Sequence, residues 1–529
     1  MKRTFYIATV LLMVMVSCKK PEEEVVVTPT VQDSIVNNGF EADQKEVTNA
    51  SGWLTSGTDA DADHVVSGGY EGSYSLSHKK STAYKVNTYQ ELTGLKNGYY
   101  QLTAFVQNGG GQNACYLSGK GGDGVERMTS LPVSDLWTLV MVRGIHVTDG
   151  KCTISIYSDA KADNWCLIDA VVFKEDGLAY NFLKGGDVSE LSYIESKGGK
   201  FYENGVEKDC FEILKNNGFN IARLRLYNDP GNINYTPSKY LPAGFQNPED
   251  ILHLALRAKA AGLQIELTFH YSDYWTNGTT QNKPHEWVNL SYEDLKTAVY
   301  DFTFSFMNQM KDQGTIPDYV SLGNETPGGF LFPDGDYNHF SQMAALFNEG
   351  YNAVKTVSPT SKVIIHLDDA GNTSLYDWFF SSLTAAGGNY DIVGASYYPF
   401  WSERTVAQMQ AWANYESAKL GKEILIMETG YNWNPTLPDG SGGQLGNNGP
   451  YQNIYPSSPE GQKNFLLELF NGIKTAEHGK VIGALYWDPV MIAVPGVGWQ
   501  LGAPNVVSNT TLFDFDGHTL VSLNAFRYN

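Results

Sequence analysis

Asn220-Ile-Ala-Arg223-Leu-Arg225-Leu-Tyr227-Asn228-Asp229-Pro230 and Gln264-Ile-Glu-Leu-Thr-Phe269-His270-Tyr271-Ser272-Asp273 bracket a helical stretch, 248–261, that stops at Gly262. Each outer run is short and largely apolar, and turns polar at its C-terminal end. Run, glycine-closed helix, run is the grammar of a β-α-β unit with parallel strands. The unit repeats in both directions. Candidate strands fall at 181–184, 220–227, 264–270, 319–323, 363–367, 392–396, 424–427 and 484–487. Helical patterns fill 209–216, 248–261, 292–313, 338–357, 375–386, 406–420 and 459–478, and Gly218 and Gly421 close helices as Gly262 does. Eight strands alternating with helices predict an α/β fold, a (β/α)8 TIM barrel over 181–529. A doubly wound open sheet is the competing reading, but no glycine-rich phosphate loop follows the first strand.

Upstream the pattern changes. Residues 33–176 alternate with period two and break at Gly and Asn turns, as in 99–106, 139–142 and 152–157. That predicts an all-β jelly roll or β-sandwich. Further upstream, Lys2 and Arg3 precede an apolar run, Phe5 to Val16, too short to span a membrane. It ends at Ser17-Cys18. Residues 1–17 therefore read as a lipoprotein signal peptide, Cys18 as the lipidated residue and 18–32 as a tether. The expectation is an exported outer-membrane lipoprotein, exposed at the cell surface and held to the membrane through its N-terminal lipid.

The formal charge is −21, from 37 Lys and Arg against 58 Asp and Glu, with no basic cluster among aromatics. Such a chain repels phosphate backbones, which argues against nucleic acid as a partner. Aromatic content is high at 13%, and some of these rings suit stacking against the apolar faces of sugars. Cys115, Cys152, Cys166 and Cys210 show no zinc spacing; free thiols are expected, with a Cys152–Cys166 bridge the alternative. Nothing in the sequence demands more than a monomer.

In a barrel of this kind, polar residues at the C-terminal strand ends face the active site. Those ends supply Asp187, Arg223 and Arg225, His270 with Asp273 and Trp275, Asn324-Glu325, His366 with Asp368, Ser396 with Tyr398, Glu428, and Trp487. Glycosidic cleavage needs one carboxylic acid to protonate the leaving oxygen and a second carboxylate across the sugar. Glu325 ends the fourth strand and Glu428 the seventh, on opposite sides of the mouth. On this reading Glu428 is the nucleophile of a retaining hydrolase, kept ionised by Arg223 and oriented by Tyr398, and Glu325 is the acid/base. His270 and His366 also invite a zinc reading, weakened by their position on different strands.

The runs Arg223 to Pro230, Phe269 to Trp275, Gly323-Asn324-Glu325, His366-Leu367-Asp368, Ser396 to Phe400 and Tyr486-Trp487 together resemble glycoside hydrolase family 53, from about Gly185 to the C-terminus. The resemblance implies an endo-β-1,4-galactanase acting on pectic galactan and type I arabinogalactan, with no required cofactor. It also implies that Arg223, His270, Asp273, Asn324, His366, Asp368 and Tyr398 line the site. The β-rich segment resembles carbohydrate-binding jelly rolls. Two departures touch substrate binding: Phe332 stands where the family has a Trp, and Asp488 where a Glu is common. The loop from Asp439 to Gly443 resembles a worn calcium loop. A non-catalytic glycan-binding protein and a glycanase for another β-1,4-glycan are the competing functions.

Overall fold

The computed structural model describes residues 35–232 and 241–529. The proposed signal peptide, Cys18 and the whole tether, 18–32, lie outside them.

Eight parallel strands close into a barrel: β1 (Leu183–Asp187), β2 (Ile221–Leu226), β3 (Gln264–Phe269), β4 (Tyr319–Leu322), β5 (Lys362–Leu367), β6 (Ile392–Ser396), β7 (Glu423–Thr429) and β8 (Val481–Tyr486). Helices α1 (Cys210–Asn216), α2 (Pro248–Ala260), α3 (Tyr292–Asp312), α4 (Phe340–Val357), α5 (Thr373–Ala385), α6 (Val406–Leu420) and α7 (Pro459–Lys474) pack around it. Their first turns are set by side-chain caps: Asp209, Asn247, Ser291, Asn372, Thr405 and Ser458 each accept a backbone N–H. Gly421 ends α6 in the left-handed conformation, with φ 65°.

Two strands sit differently from the sequence expectation. β1 begins at Leu183 rather than residue 181, and β8 begins three residues earlier than expected, at Val481. The reason is a seam without side chains. A Cβ on Gly185 would lie 1.9 Å from Ile221 O, and one on Gly483 would lie 2.0 Å from Leu183 O. Glycine in a strand reads as a break, but here it is what lets β8 and β2 close on β1.

Residues before the barrel form two antiparallel sheets. One has six strands, in the order 47–48, 63–67, 74–79, 165–175, 98–108 and 134–147. The other has five, in the order 54–56, 84–93, 151–160, 114–121 and 126–130. Inward residues such as Leu102, Val140, Val142, Ile154, Ile156 and Ile168 make the core between them. The four cysteines among the described residues are buried and free; Cys152 and Cys166 are not bridged.

The sandwich is docked on α7. Arg143 donates from Nε to Lys474 O (2.9 Å) and from Nη2 to Ala476 O (3.1 Å), and pairs with Asp176 at 3.1 Å. Lys474 reaches back to Met128 O (2.9 Å) and Thr129 Oγ1 (3.0 Å), and Asn471 donates to Leu139 O (3.0 Å).

Candidate active site

Along β2 the side chains alternate. Ala222, Leu224 and Leu226 join the core under the helices, while Arg223 and Arg225 occupy the barrel lumen, fully buried. A buried guanidinium must be paired. Arg223 donates to Glu428 Oε1 (2.8 Å), Asn324 Oδ1 (2.7 Å) and Thr268 Oγ1 (3.2 Å), with Asp187 and Glu266 at 3.4 and 3.5 Å. Arg225 pairs with Glu190, Asp187 and Asp488 and packs against both Trp275 and Trp487, 4.5 Å from each ring centre.

The second oxygen of Glu428 accepts the Tyr398 hydroxyl at 3.0 Å. Glu325 is held from the other wall. Its Oε1 accepts Ser396 Oγ at 2.7 Å, and Ser396 Oγ contacts His366 Nε2 at 2.9 Å. With the serine proton directed at Glu325, His366 carries its own proton on Nε2. Gln281 fixes the backbone here, donating to Asn324 O (2.8 Å) and Glu325 O (2.9 Å). The Asn324 amide is oriented by Arg223 on its oxygen and by Thr276 O, 2.9 Å from its nitrogen. Carboxylate oxygens of Glu325 and Glu428 and a ring nitrogen of His366 lie within 4.8 Å of one another.

The two carboxyls differ electrostatically. Burial and the facing charge of Glu428 push Glu325 up to about 8. Burial also raises Glu428 above the ordinary carboxylate range, opposed by Arg223 and Tyr398. Arg223 therefore pulls in the expected direction without prevailing over desolvation. Burial lifts Asp368 to about 6, helped by Asp369, and lifts Glu266 to about 7. His270 and His366 are held well below their usual range by burial and by the arginines, so both are neutral.

Above this floor opens a cleft of about 740 Å³. Trp275, Asn324, Glu325, Asp368, Ser396, Tyr398, Glu428 and Trp487 line it, as the sequence suggested. Asp187, Arg223, Arg225, His270, Asp273, Phe332 and His366 do not: they lie behind or beside the lining. Asp273, for instance, accepts the backbone N–H of Asp229 and of His285, so it ties two loops together. His270 stacks on Tyr227 at 4.3 Å and bonds Thr276 at 2.7 Å. The Phe332 backbone N–H is spent on Gln281 O, which fastens that residue beside the cleft.

The cleft also holds residues the strand ends did not reveal. Trp401, 58% exposed, follows the Ser396-Tyr397-Tyr398-Pro399 run. Trp499 arrives from the long segment after β8, and its indole donates to Asp488 Oδ2 at 2.6 Å. Glu190 and Glu266 add two further buried carboxyls beside the arginines. Glu266 was within reach of the alternation on β3, two residues before the inward Thr268; nothing in the sequence marks Trp499.

Among the described residues, two acidic groups bring donor atoms within 4.8 Å: Glu325, His366 and Glu428, and Asp187, Glu190 and Asp488. His270 belongs to neither, which separates it from any joint zinc site with His366. In both groups arginine already supplies the positive charge. Asp439 accepts from Ser441 N (2.9 Å) and Oγ (2.6 Å). A single exposed carboxylate capping its own turn does not fit a calcium ion, which takes six to eight oxygens.

Comparison with known proteins agrees with this architecture. An endo-β-1,4-galactanase of Bacillus subtilis (strain 168) is 31% identical over 68% of this chain and 89% of its own. An arabinogalactan endo-β-1,4-galactanase of Humicola insolens is 30% identical over 65% of this chain and 98% of its own. The solved family 53 catalytic domain of Ignisphaera aggregans superposes with a TM-score of 0.61, at 36% identity over 66% of this chain and 97% of that one. The sequence profile of glycosyl hydrolase family 53 matches residues 183–526, from the first residue of β1 to the last short helix. With a closed eight-stranded barrel and a paired-carboxylate cleft over the same residues, the chain belongs to glycosyl hydrolase family 53.

Proposed function

We propose that this protein is an endo-acting, retaining β-1,4-galactanase that cuts pectic galactan and type I arabinogalactan, with Glu428 as nucleophile and Glu325 as acid/base. The observation that carries the reading is the approach of the two carboxyls, whose oxygens lie within 4.8 Å. Retaining enzymes hold their carboxyls about 5–5.5 Å apart, whereas inverting enzymes leave about 6.5–9.5 Å for a water.

The environments suit the division of labour. Glu428 is gripped on both oxygens, by Arg223 and Tyr398, and so is aimed. It attacks the anomeric carbon as the glycosidic C–O bond breaks, and Glu325 gives its proton to the departing oxygen. Glu325, raised to about 8, still carries that proton at neutral pH. In the second half, water attacks the same carbon. Glu325 takes a proton from the water, and the bond to Glu428 breaks. The catalyst is restored, and two inversions leave the β configuration. Trp487 and Trp275 supply apolar faces for the sugar ring, and Asn324 and Asp368 supply polar partners for hydroxyls.

The remaining parts of the proposal concern placement. Cys18 is the lipidated residue of an outer-membrane lipoprotein. Residues 33–176 are a glycan-holding module beside the catalytic barrel at 181–529, and the protein acts as a monomer.

The test is hydrolysis of linear β-1,4-galactan, beside xylan, mannan and cellulose, by protein lacking residues 1–18. Newly released ends are followed by proton NMR. Mixed oligosaccharides from galactan alone, appearing first as the β anomer, support the assignment. First appearance of the α anomer overturns the retaining mechanism, and cleavage of another polymer overturns the substrate.

A further inference from the structure

The loop after β4 does not end at the cleft. From Glu325 it runs through Gly328, whose carbonyl accepts the backbone N–H of Tyr337 at 2.9 Å. Gly328 is three positions along the chain from Glu325, a reach of at most about 11 Å. Tyr337 is therefore tied to the rim only a short way outside the acid-bearing wall. The residue is 53% exposed, and its ring lies 6.2 Å from that of Trp378, a residue 42% exposed, at an interplanar angle of 65°.

Trp378 projects from α5, whose cap, Asn372, comes three residues after Asp369 of the Asp368-Asp369 pair that lines the cleft. The indole is held from behind. Phe340, the first residue of α4, packs edge-on against it at 5.4 Å and is itself seated on the barrel core. Polar groups border the rings. Asn338 and His339 are exposed beside Tyr337, and Asp377, next to Trp378, is engaged by Lys419 and by Tyr415 at 3.3 Å.

Single exposed apolar residues are ordinary on a protein surface. Two large rings in edge-to-face contact, one of them backed by the core-seated Phe340 and both on segments that lead from the cleft wall, are a different arrangement. Flat apolar faces flanked by hydrogen-bonding side chains match the two surfaces of a pyranose, its C–H face and its hydroxyl rim. The shelf lies on the side of Glu325, where the departing part of the polymer must leave if Glu325 protonates the leaving oxygen.

We infer that Tyr337 and Trp378 form a remote sugar-binding shelf that holds galactosyl units of a long chain beyond the cleft, on the leaving-group side. The inference rests on the galactanase reading. The shelf favours polymer over short oligosaccharides and leaves the bond-breaking geometry untouched.

The experiment compares kcat/KM on long linear β-1,4-galactan with kcat/KM on a short galacto-oligosaccharide that fills only the cleft. It uses the full chain with Trp378→Ala, Tyr337→Ala, the double variant, and Trp378→Tyr. Melting temperatures check folding. Galactan affinity electrophoresis in a Glu428→Gln background reads binding without turnover.

The double variant is expected to lower the polymer-to-oligosaccharide ratio roughly five- to tenfold, the scale of one or two lost ring contacts. Trp378→Tyr should recover most of the loss, and retention of the polymer in the gel should fall in parallel. An unchanged ratio with unchanged retention overturns the shelf, as does an equal loss on both substrates. If the unaltered protein does not cut galactan at all, the functional reading has failed, and that result is separate from a failure of the shelf.

Discussion

The Tyr398 hydroxyl donates to Glu428 Oε2 at 3.0 Å, and the half-buried phenol packs against the carboxylate that it orients. This bond favours the ionised carboxylate, working with Arg223 against desolvation. Replacing Tyr398 with Phe keeps the ring and removes the bond. Turnover is expected to fall roughly ten- to a hundredfold with little change in KM. The acid limb of the pH profile moves to higher pH, because Glu428 loses one of the groups that lower its pKa. A profile of kcat/KM against pH on galactan reads both effects; a uniform loss without displacement of the limb refutes the orienting role.

The proposed roles of the two glutamates separate by chemical rescue. With an activated aryl galactoside and azide, Glu428→Ala should form the α-galactosyl azide, because azide takes the place of the missing nucleophile. Glu325→Ala should form the β-galactosyl azide, because azide attacks the covalent intermediate. Each variant without azide is expected to lose about 10³-fold or more on galactan. Interchanged products would interchange the assignments.

Part of the displacement of Glu325 to about 8 comes from the negative charge of Glu428. Glu428→Gln removes that charge and should lower the pKa of Glu325. Carbon-detected NMR of the labelled side chain would show it. A pKa that stays near 8 would mean that burial alone sets it.

The same displacement weakens the fold as pH rises. Below about 4.5 both folded and unfolded forms hold the Glu325 proton. Between that pH and about 8 only the unfolded chain releases it, so the native state is progressively disfavoured. Above that range both forms are ionised and the penalty stays constant. Glu325→Gln should therefore stabilise the protein by an amount that grows across this window. At neutral pH it reaches on the order of 1 kcal/mol, after allowing for the water that reaches the cleft. Urea titrations at acid and neutral pH would show it; an equal gain at both would exclude ionisation as the cause.

At the seam between sandwich and barrel, Arg143 is the buried bolt. Arg143→Ala leaves the carbonyl oxygens of Lys474 and Ala476 and the carboxylate of Asp176 without its donors. The expected cost is about 3 kcal/mol, seen as early separation of the sandwich transition in calorimetry and faster proteolysis near residue 177. An unchanged melting profile would show that the other seam contacts suffice.

The barrel and the floor of its cleft were legible because they follow periodicity. β6 and α6 occur as expected at Ile392–Ser396 and Val406–Leu420, and the polar strand ends supplied eight of the lining residues. What periodicity could not convey is depth. Arg225 and Asp187 end strands as Glu428 does, yet lie beneath it, because a guanidinium in the lumen must be caged by carboxylates before any sugar arrives. Trp499 stayed hidden for another reason. It comes from irregular chain after β8, and only the folded path brings its indole to Asp488. The glycine seam at Gly185 and Gly483 blurred the first and last strands, because in sequence a missing side chain looks the same in a turn and in a tight contact.

Glu325 sits in the left-handed backbone region, at φ 44°, as do Tyr271, Asp369 and Asp488 at other strand ends around the mouth. Each such non-glycine residue costs about 1 kcal/mol or more. At 325 that strain coincides with an acid kept against its own solvation. Glycine there would relieve the backbone and glutamine would remove the titrating carboxyl; on the proposed acid/base role, either would end turnover. The steadiest descendants of this molecule are thus its silent ones. On the proposed role of Glu325, a copy freed from turnover has a downhill route to becoming a quiet scaffold.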